Sequence, residues 1–176
     1  DTISSYGHPA VSPDGIYLYF TSDMPGGEGG KDLWRINLKE KAGSLENMGN
    51  LINTPGDEMF PYVRTDSLLY FASTGHPGYG GLDIFKAQLQ PDGRWNVTNM
   101  GTPMNSSADD FGITFGNGES GYFSTNRTDG RGYDHIYSFE LPELNISISG
   151  WVLDKDEEPI PNAVIRIVGN DGSNQK

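Results

Sequence analysis

The sequence predicts an all-β chain of repeated antiparallel sheets, and three observations support this prediction. Glycine accounts for 24 of the 176 residues and proline for 11, a composition typical of short strands joined by tight turns. Within residues 16–20, Ile, Leu and Phe alternate with two Tyr residues, and this period of two indicates a strand with two differently used faces. Related segments also recur about every 51 residues, which predicts a repeat fold.

Two motifs define the repeat. Leu18–Ser22 (LYFTS) returns as Leu69–Ser73 (LYFAS) and as Gly121–Thr125 (GYFST). A glycine-rich loop follows each time and leads into Gly-x-Asp, so that one aspartate recurs in each unit: Asp32, Asp83 and Asp134. In the third unit an inserted residue, His135, separates this aspartate from the hydrophobic segment that follows.

Each unit has room for four strands. In the first unit we predict strands around Ala10 and over 16–20, 33–38 and 45–48, with the turn Pro13-Asp14-Gly15 joining the first two. Four antiparallel strands in about 51 residues match the size of one β-propeller blade. The predicted organisation is therefore three four-stranded blades over residues 1–141, with limits near 5–55, 56–107 and 108–141.

The pattern changes after Leu141. Two alternating segments, Ile146–Val152 and Ala163–Val168, lie on either side of an acidic turn at Asp154–Glu158, which predicts a β-hairpin. Residues 142–176 are therefore predicted to form a linker and the start of an incomplete β-sandwich.

Charge and composition exclude several function classes. Twelve basic residues against 24 acidic ones give a net charge of −12, which disfavours nucleic acid as a partner. The chain has no cysteine, so it can form no disulfide, thiolate nucleophile or cysteine-based zinc site. No apolar run reaches the length of a membrane span. Because the chain opens with Asp1 rather than Met, we expect a processed or excised piece.

The repeated aspartates invite a metal or catalytic interpretation, but we favour a structural one. A carboxylate directly after a glycine-rich loop can accept backbone N–H groups and hold that loop. The loop Asp23–Asp32 carries three carboxylates, yet its glycine spacing is not that of a known calcium loop, so calcium is only the weaker alternative. We predict no metal, cofactor or catalytic residue.

Acidic pairs recur at equivalent junctions between units. These pairs would cluster at one mouth of a propeller and attract a cation or a basic partner, with a merely solvated rim as the alternative. The predicted rim residues are Asp57, Glu58, Asp109 and Asp110.

The repeated aromatic residues are predicted to form the core between blades rather than a platform for stacking carbohydrate, because each sheet must bury both faces against its neighbours. They are Tyr19, Phe20, Tyr70, Phe71, Tyr122 and Phe123. The three histidines, His8, His76 and His135, match no triad motif and are predicted to be structural or surface residues.

Three segments carry a family resemblance. Pro9–Gly15, followed by Tyr-Phe-Thr-Ser and Gly-x-Asp-Leu-Trp, resembles the WD40-like, PD-type β-propeller repeat of bacterial periplasmic proteins. Asn53–Pro61 is similar to linkers in OmpA-family proteins of the Bacteroidetes, and Ile148–Val164 resembles the opening of a carboxypeptidase-regulatory-like domain. The third unit departs from the pattern, with Gly112 where Pro9 and Pro61 stand and Gly-Asn-Gly in place of Pro-Asp-Gly.

The resemblance implies a non-catalytic protein–protein interaction scaffold in the periplasm, associated with the outer membrane. Several such proteins are lipoproteins linked to type IX secretion or cell-envelope anchoring, and membrane association would come only through parts outside this chain. Partners would be other envelope proteins or the remaining blades, since three blades do not close a ring. The alternatives are the propeller of a prolyl-oligopeptidase-like hydrolase and a Tol-type translocation propeller.

Overall fold

The computed structural model describes residues 3–40, 44–127, 133–142, 150–164, 167–168 and 174–175, and its described elements are all strands and turns, with no helix among them. The chain divides into two compact units, residues 1–142 and 143–176. Among its described residues, the first unit holds eleven strands in three antiparallel sheets, each ordered as in the sequence. The all-β prediction is therefore confirmed.

The strands follow the predicted repeat closely. The first sheet contains β1 Tyr6–Val11, β2 Tyr17–Ser22, β3 Asp32–Asn37 and β4 Leu45–Asn47. The second contains β5 Glu58–Thr65, β6 Leu68–Ser73, β7 Asp83–Leu89 and β8 Trp95–Asn99. The third contains β9 Asp110–Phe115, β10 Ser120–Thr125 and β11 His135–Glu140.

The third sheet shows three of its four predicted strands. Four strands were expected in each sheet, but among the described residues this sheet has three. A fourth strand would have to follow Leu141, and residues 143–149 lie outside the part of the chain that the structure describes.

Local turn chemistry explains the first hairpin. Gly15 has a φ of 66°, a conformation that glycine adopts without steric cost, and its N–H donates to the Ser12 carbonyl at 2.8 Å. The Asp14 carboxylate accepts the N–H of Ile16 at 2.9 Å. The predicted Pro13-Asp14-Gly15 turn is therefore present, and it places Tyr17 at the start of β2.

The sheets stack through alternate side chains of the same strands. Leu69 and Phe71 of β6 belong to a buried cluster with Tyr19 and Leu33 of the first sheet. The residue between them, Tyr70, belongs to a second cluster with residues of the third sheet, Ile113 and Phe123. Because successive side chains of a strand point to opposite faces, the second sheet is buried on both.

The first strand of each sheet carries a bulge. The ladder shifts register within each of β1, β5 and β9, and the residue at the shift has a left-handed φ: 49° at His8, 56° at Phe60 and 64° at Gly112. Gly112 is therefore the equivalent of His8 and Phe60. The sequence alignment of Gly112 with Pro9 and Pro61 was wrong by one residue.

The second unit is small. Its acidic segment turns as expected, with the N–H of Asp154 donating to the Glu158 carbonyl and Leu153 bridging Pro159. Two short strands, β12 Ile167–Val168 and β13 Asn174–Gln175, pair with each other. The sequence pattern does not mark β13 as the partner of β12, and most of the predicted strand Ile146–Val152 lies outside the described residues.

Candidate functional site

Two of the three repeated aspartates are buried where β3 and β7 begin. Asp32 and Asp83 are each 1% exposed. Asp32 Oδ2 accepts the N–H of Glu28 at 2.5 Å, and Asp83 Oδ2 accepts the N–H of Tyr79 at 2.7 Å. Both carboxylates thus hold the preceding loop through backbone donors, which is the structural role that the sequence favoured.

These loops need glycine because they wrap closely around the carboxylates. A Cβ on Gly27 would lie 1.9 Å from Asp32 Oδ2, and a Cβ on Gly78 would lie 1.9 Å from Asp83 Oδ2. Since such distances are far below van der Waals contact, any side chain there would open the loop. The glycine enrichment of this segment therefore follows from how the loop encloses its aspartate.

Asp134 does not share this position. In the ladders, Asp32 pairs with Ser22 and Asp83 with Ser73, but the equivalent Thr125 pairs with His135. The inserted residue moves Asp134 out of the strand, where its side chain is exposed. Its assignment to the structural motif was wrong, because the Gly-x-Asp spacing does not reveal which residue enters the ladder.

Glu58 is not part of a rim. Its side chain is 0% exposed, and the carboxylate accepts the N–H and hydroxyl of Thr54 at 2.8 and 2.6 Å and the Ser73 hydroxyl at 2.6 Å. Burial raises the pKa of the Glu58 carboxyl. The predicted partner-binding role of this residue is contradicted, because all of these donors lie within the fold.

Asp110 is the corresponding residue of the third sheet, and it is also 0% exposed. Its carboxylate accepts the N–H and hydroxyl of Ser106 at 2.6 and 2.8 Å, and the Arg127 guanidinium pairs with it at 2.6 Å. Asp110 is therefore removed from the predicted rim as well. Arg127 was missed by the sequence analysis, since neither spacing nor a motif marked it.

The side chains of Arg127 and His76 approach equivalent backbone carbonyls. Arg127 donates to the Met104 carbonyl, and His76 Nε2 lies 2.8 Å from the carbonyl of Ile52, the equivalent of Met104. A cation thus faces the buried acid in the third sheet, whereas Glu58 has no ion-pair partner among the described residues.

The other two predicted rim residues join neighbouring sheets. Asp57 Oδ1 accepts the N–H of Lys31 at 2.8 Å, and Asp109 Oδ1 accepts the N–H of Leu82 at 2.8 Å. Each acid therefore binds the glycine-rich loop of the preceding sheet. We call Asp57 and Asp109 the joint acids.

The bulged strands β1, β5 and β9 lie side by side and line a groove of about 410 Å³. The ring of His8, which lines this groove, stacks on that of Phe60 with 3.9 Å between the ring centroids. The ring of Phe60 also lies 4.8 Å from that of Phe111, again between centroids. Burial, together with the Lys31 charge, lowers the pKa of His8. The groove places an apolar surface next to one histidine.

The outer face of the first sheet holds a second groove, also of about 410 Å³. Tyr6, Gly7, Pro9, Leu18, Phe20 and Ile36 line it. Their ladder equivalents in the second sheet include Leu69, Phe71 and Ala87, all at most 1% exposed because the first sheet covers them. We call the lining of Leu18, Phe20 and Ile36 the first-sheet face.

At the opposite end, Tyr122 and Ile136 are 59% and 78% exposed. Tyr122 was predicted to be core, as its equivalents Tyr19 and Tyr70 are, and this prediction was wrong. Among the described residues of the first unit no further sheet packs on the third one, so the side that Tyr70 buries is open at Tyr122. We call Tyr122 and Ile136 the third-sheet face.

The third sheet also borders a cavity of about 600 Å³ beside β11, on the side where β4 and β8 lie in the other two sheets. Met100, Arg127 and Phe139 are among its lining residues. The guanidinium there is already engaged by Asp110 and backbone carbonyls, so the cavity offers mainly apolar surface.

In the described part of the chain, no three His, Asp or Glu side chains converge in a way that could hold a metal ion. The same part contains no helix long and apolar enough to cross a membrane. No family model matches the chain, and no curated protein matches it.

Proposed function

We propose that this chain is a non-catalytic protein–protein interaction scaffold of the β-propeller type. The observation that carries the proposal is the first-sheet face. Leu18, Phe20 and Ile36 occupy ladder positions that a neighbouring sheet buries elsewhere in the same molecule, and here they line an open groove. Apolar surfaces of this kind mark sites of protein association.

The placement of the acidic residues supports a binding rather than a catalytic role. Asp32, Asp83, Glu58 and Asp110 are buried and bound to donors of the fold itself. A general acid or base must reach a substrate proton, and these four carboxylates are directed into the protein.

The resemblance to periplasmic repeat proteins extends the proposal to a location and a class of partner. We place the scaffold in the periplasm, associated with the outer membrane through parts outside this chain, with envelope proteins or further blades as its partners. The net charge of −12 favours such partners over nucleic acid.

Site-specific photocrosslinking tests the proposal. A benzoylphenylalanine replaces Phe20 in the chain expressed in the cells that make it, and a matched probe replaces Tyr79, an exposed aromatic residue in a loop of the second sheet. We expect a protein adduct from position 20 and none from position 79. Equal adducts from both positions, or turnover of peptide substrates by the purified chain, would contradict the proposal.

A further inference from the structure

Each joint between sheets has two different sides. One side presents a tyrosine and an aliphatic residue: Tyr19 with Leu33 in the first joint, and Tyr70 with Ile84 in the second. The other side presents a phenylalanine of the next sheet, Phe71 or Phe123. The stack therefore has a direction.

The two ends of the stack carry the two complementary halves of such a joint. The first-sheet face offers Phe20 at the position of Phe71, with Leu18 and Ile36 beside it. The third-sheet face offers Tyr122 and Ile136 at the positions of Tyr70 and Ile84, because Ser124 pairs with Ile136 as Ala72 pairs with Ile84.

From this complementarity we infer that the third-sheet face of one copy of the chain docks on the first-sheet face of a second copy. The inference rests on the proposed function and names its partner. It continues a joint that the molecule already forms twice. Two copies supply six sheets, and rings of four to eight blades are the closed arrangements of this architecture.

Charge favours the first-sheet face as a surface for contact between copies. A chain of net charge −12 repels its own copies over most of its surface, but no charged side chain lines the groove of the first-sheet face. The first-sheet face therefore adds no charge of its own to a contact between copies.

The contact between copies lacks the joint acid of the internal joints. Ser5, which precedes β1, and Tyr6, the first residue of β1, stand where the second sheet has the joint acid Asp57 and the buried Glu58. The carboxylate that binds the preceding loop is therefore missing, and apolar contacts hold the pair. We expect an association that depends on concentration and strengthens with added salt, since salt screens the repulsion.

Sedimentation velocity over a range of chain concentrations tests the inference with three variants. Phe20→Glu damages the first-sheet face, Ile136→Glu damages the third-sheet face, and Tyr79→Glu is the control. We expect the wild type and the control to reach twice the mass of one chain. Each face variant should lower the association constant by at least about tenfold, with unchanged circular dichroism and thermal midpoint.

Mixing the two face variants is the decisive step. Phe20→Glu keeps an intact third-sheet face and Ile136→Glu an intact first-sheet face, so an equimolar mixture should associate although neither variant does alone. Dimers that persist in Ile136→Glu would indicate contact between two first-sheet faces and overturn the inference. A wild-type monomer at all concentrations would also overturn it, while a crosslink from position 20 to another protein would leave the proposed function standing.

Discussion

Tyr70 and Phe71 are neighbours on β6, yet they are buried in different clusters on opposite sides of the second sheet. Tyr70 is 4.9 Å from Phe115 of the third sheet, measured between ring centroids, whereas Phe71 belongs to the cluster of Tyr19 and Leu33 in the first sheet. One dipeptide thus anchors two joints. The same dipeptide in the other sheets anchors one joint only, which leaves Phe20 and Tyr122 at the two ends.

A leucine that a neighbouring sheet covers should contribute more to the free energy of unfolding than an equivalent leucine that no sheet covers. Leu18 and Leu69 occupy the same ladder position, but Leu69 is fully buried and Leu18 half-buried. We expect Leu69→Ala to lower the free energy of unfolding by about 2–5 kcal/mol and Leu18→Ala by less than half as much. Urea unfolding at low chain concentration measures both, and equal losses would contradict the stacking.

The buried aspartate should matter for stability and the exposed one should not. Asp83→Ala removes the acceptor of the Tyr79 and Gly80 N–H groups, which we expect to cost about 1–3 kcal/mol. Asp134→Ala is the matched control, with an expected change within about 0.5 kcal/mol. Thermal unfolding of both variants provides the measurement. A larger loss for Asp134→Ala would return this residue to the structural motif.

Glu58→Gln should change how stability depends on pH. Burial raises the pKa of Glu58 in the folded chain above its unfolded value, so the folded state binds the proton more tightly. The contribution of this group is then fully present below the unfolded pKa and is lost as pH rises through the folded pKa. The Glu58→Gln variant has no such loss. Its free energy of unfolding relative to that of the wild type should therefore increase with pH.

Denaturant unfolding of Glu58→Gln and wild type at several pH values from 4 to 7 measures this difference. A relative stability of the variant that grows as pH falls would contradict the direction of the pKa shift.

The pair Asp110–Arg127 should behave differently from Glu58. Arg127→Met leaves a fully buried carboxylate without its cation, which we expect to cost about 3–5 kcal/mol. Adding Asp110→Asn to that variant should recover part of the loss, because no unpaired charge remains. A double variant less stable than Arg127→Met would show that the ion pair is not the source of the cost. Chemical denaturation resolves these differences.

The sequence predicted the repeat and most strands because glycine-rich turns and two-residue alternation are local signals. It could not predict the exposure of Tyr122, since its own strand has the same pattern as that of Tyr70 and only the neighbouring sheet differs. The repeated Gly-x-Asp spacing likewise placed Asp134 at the ladder position that the inserted His135 occupies in β11. Local spacing does not determine which residue pairs across a ladder.

The candidate site was harder to predict than the fold. Glu58 and Asp110 were assigned to a partner-binding rim because acidic pairs recur at equivalent junctions between the repeat units. Glu58 accepts hydrogen bonds from Thr54, four residues earlier, and from the distant Ser73. Asp110 accepts them from Ser106, four residues earlier, and from the distant Arg127. An open face on the first sheet was expected because three blades do not close a ring, but Leu18-Tyr19-Phe20 has the same pattern as its covered equivalent, so the pattern alone does not mark the exposed residues.

The central claim is that three sheets stack, with Tyr70 and Phe71 on opposite faces of the middle one. Nuclear Overhauser effects between methyl groups and aromatic rings test it most directly. In a methyl-labelled sample, we expect Phe71 ring protons to show contacts with methyl groups of the first sheet, such as Leu33. The Tyr70 ring should instead show contacts with methyl groups of the third sheet, such as Ile113. Contacts from both rings to methyl groups of the same neighbouring sheet, first or third, would contradict the account.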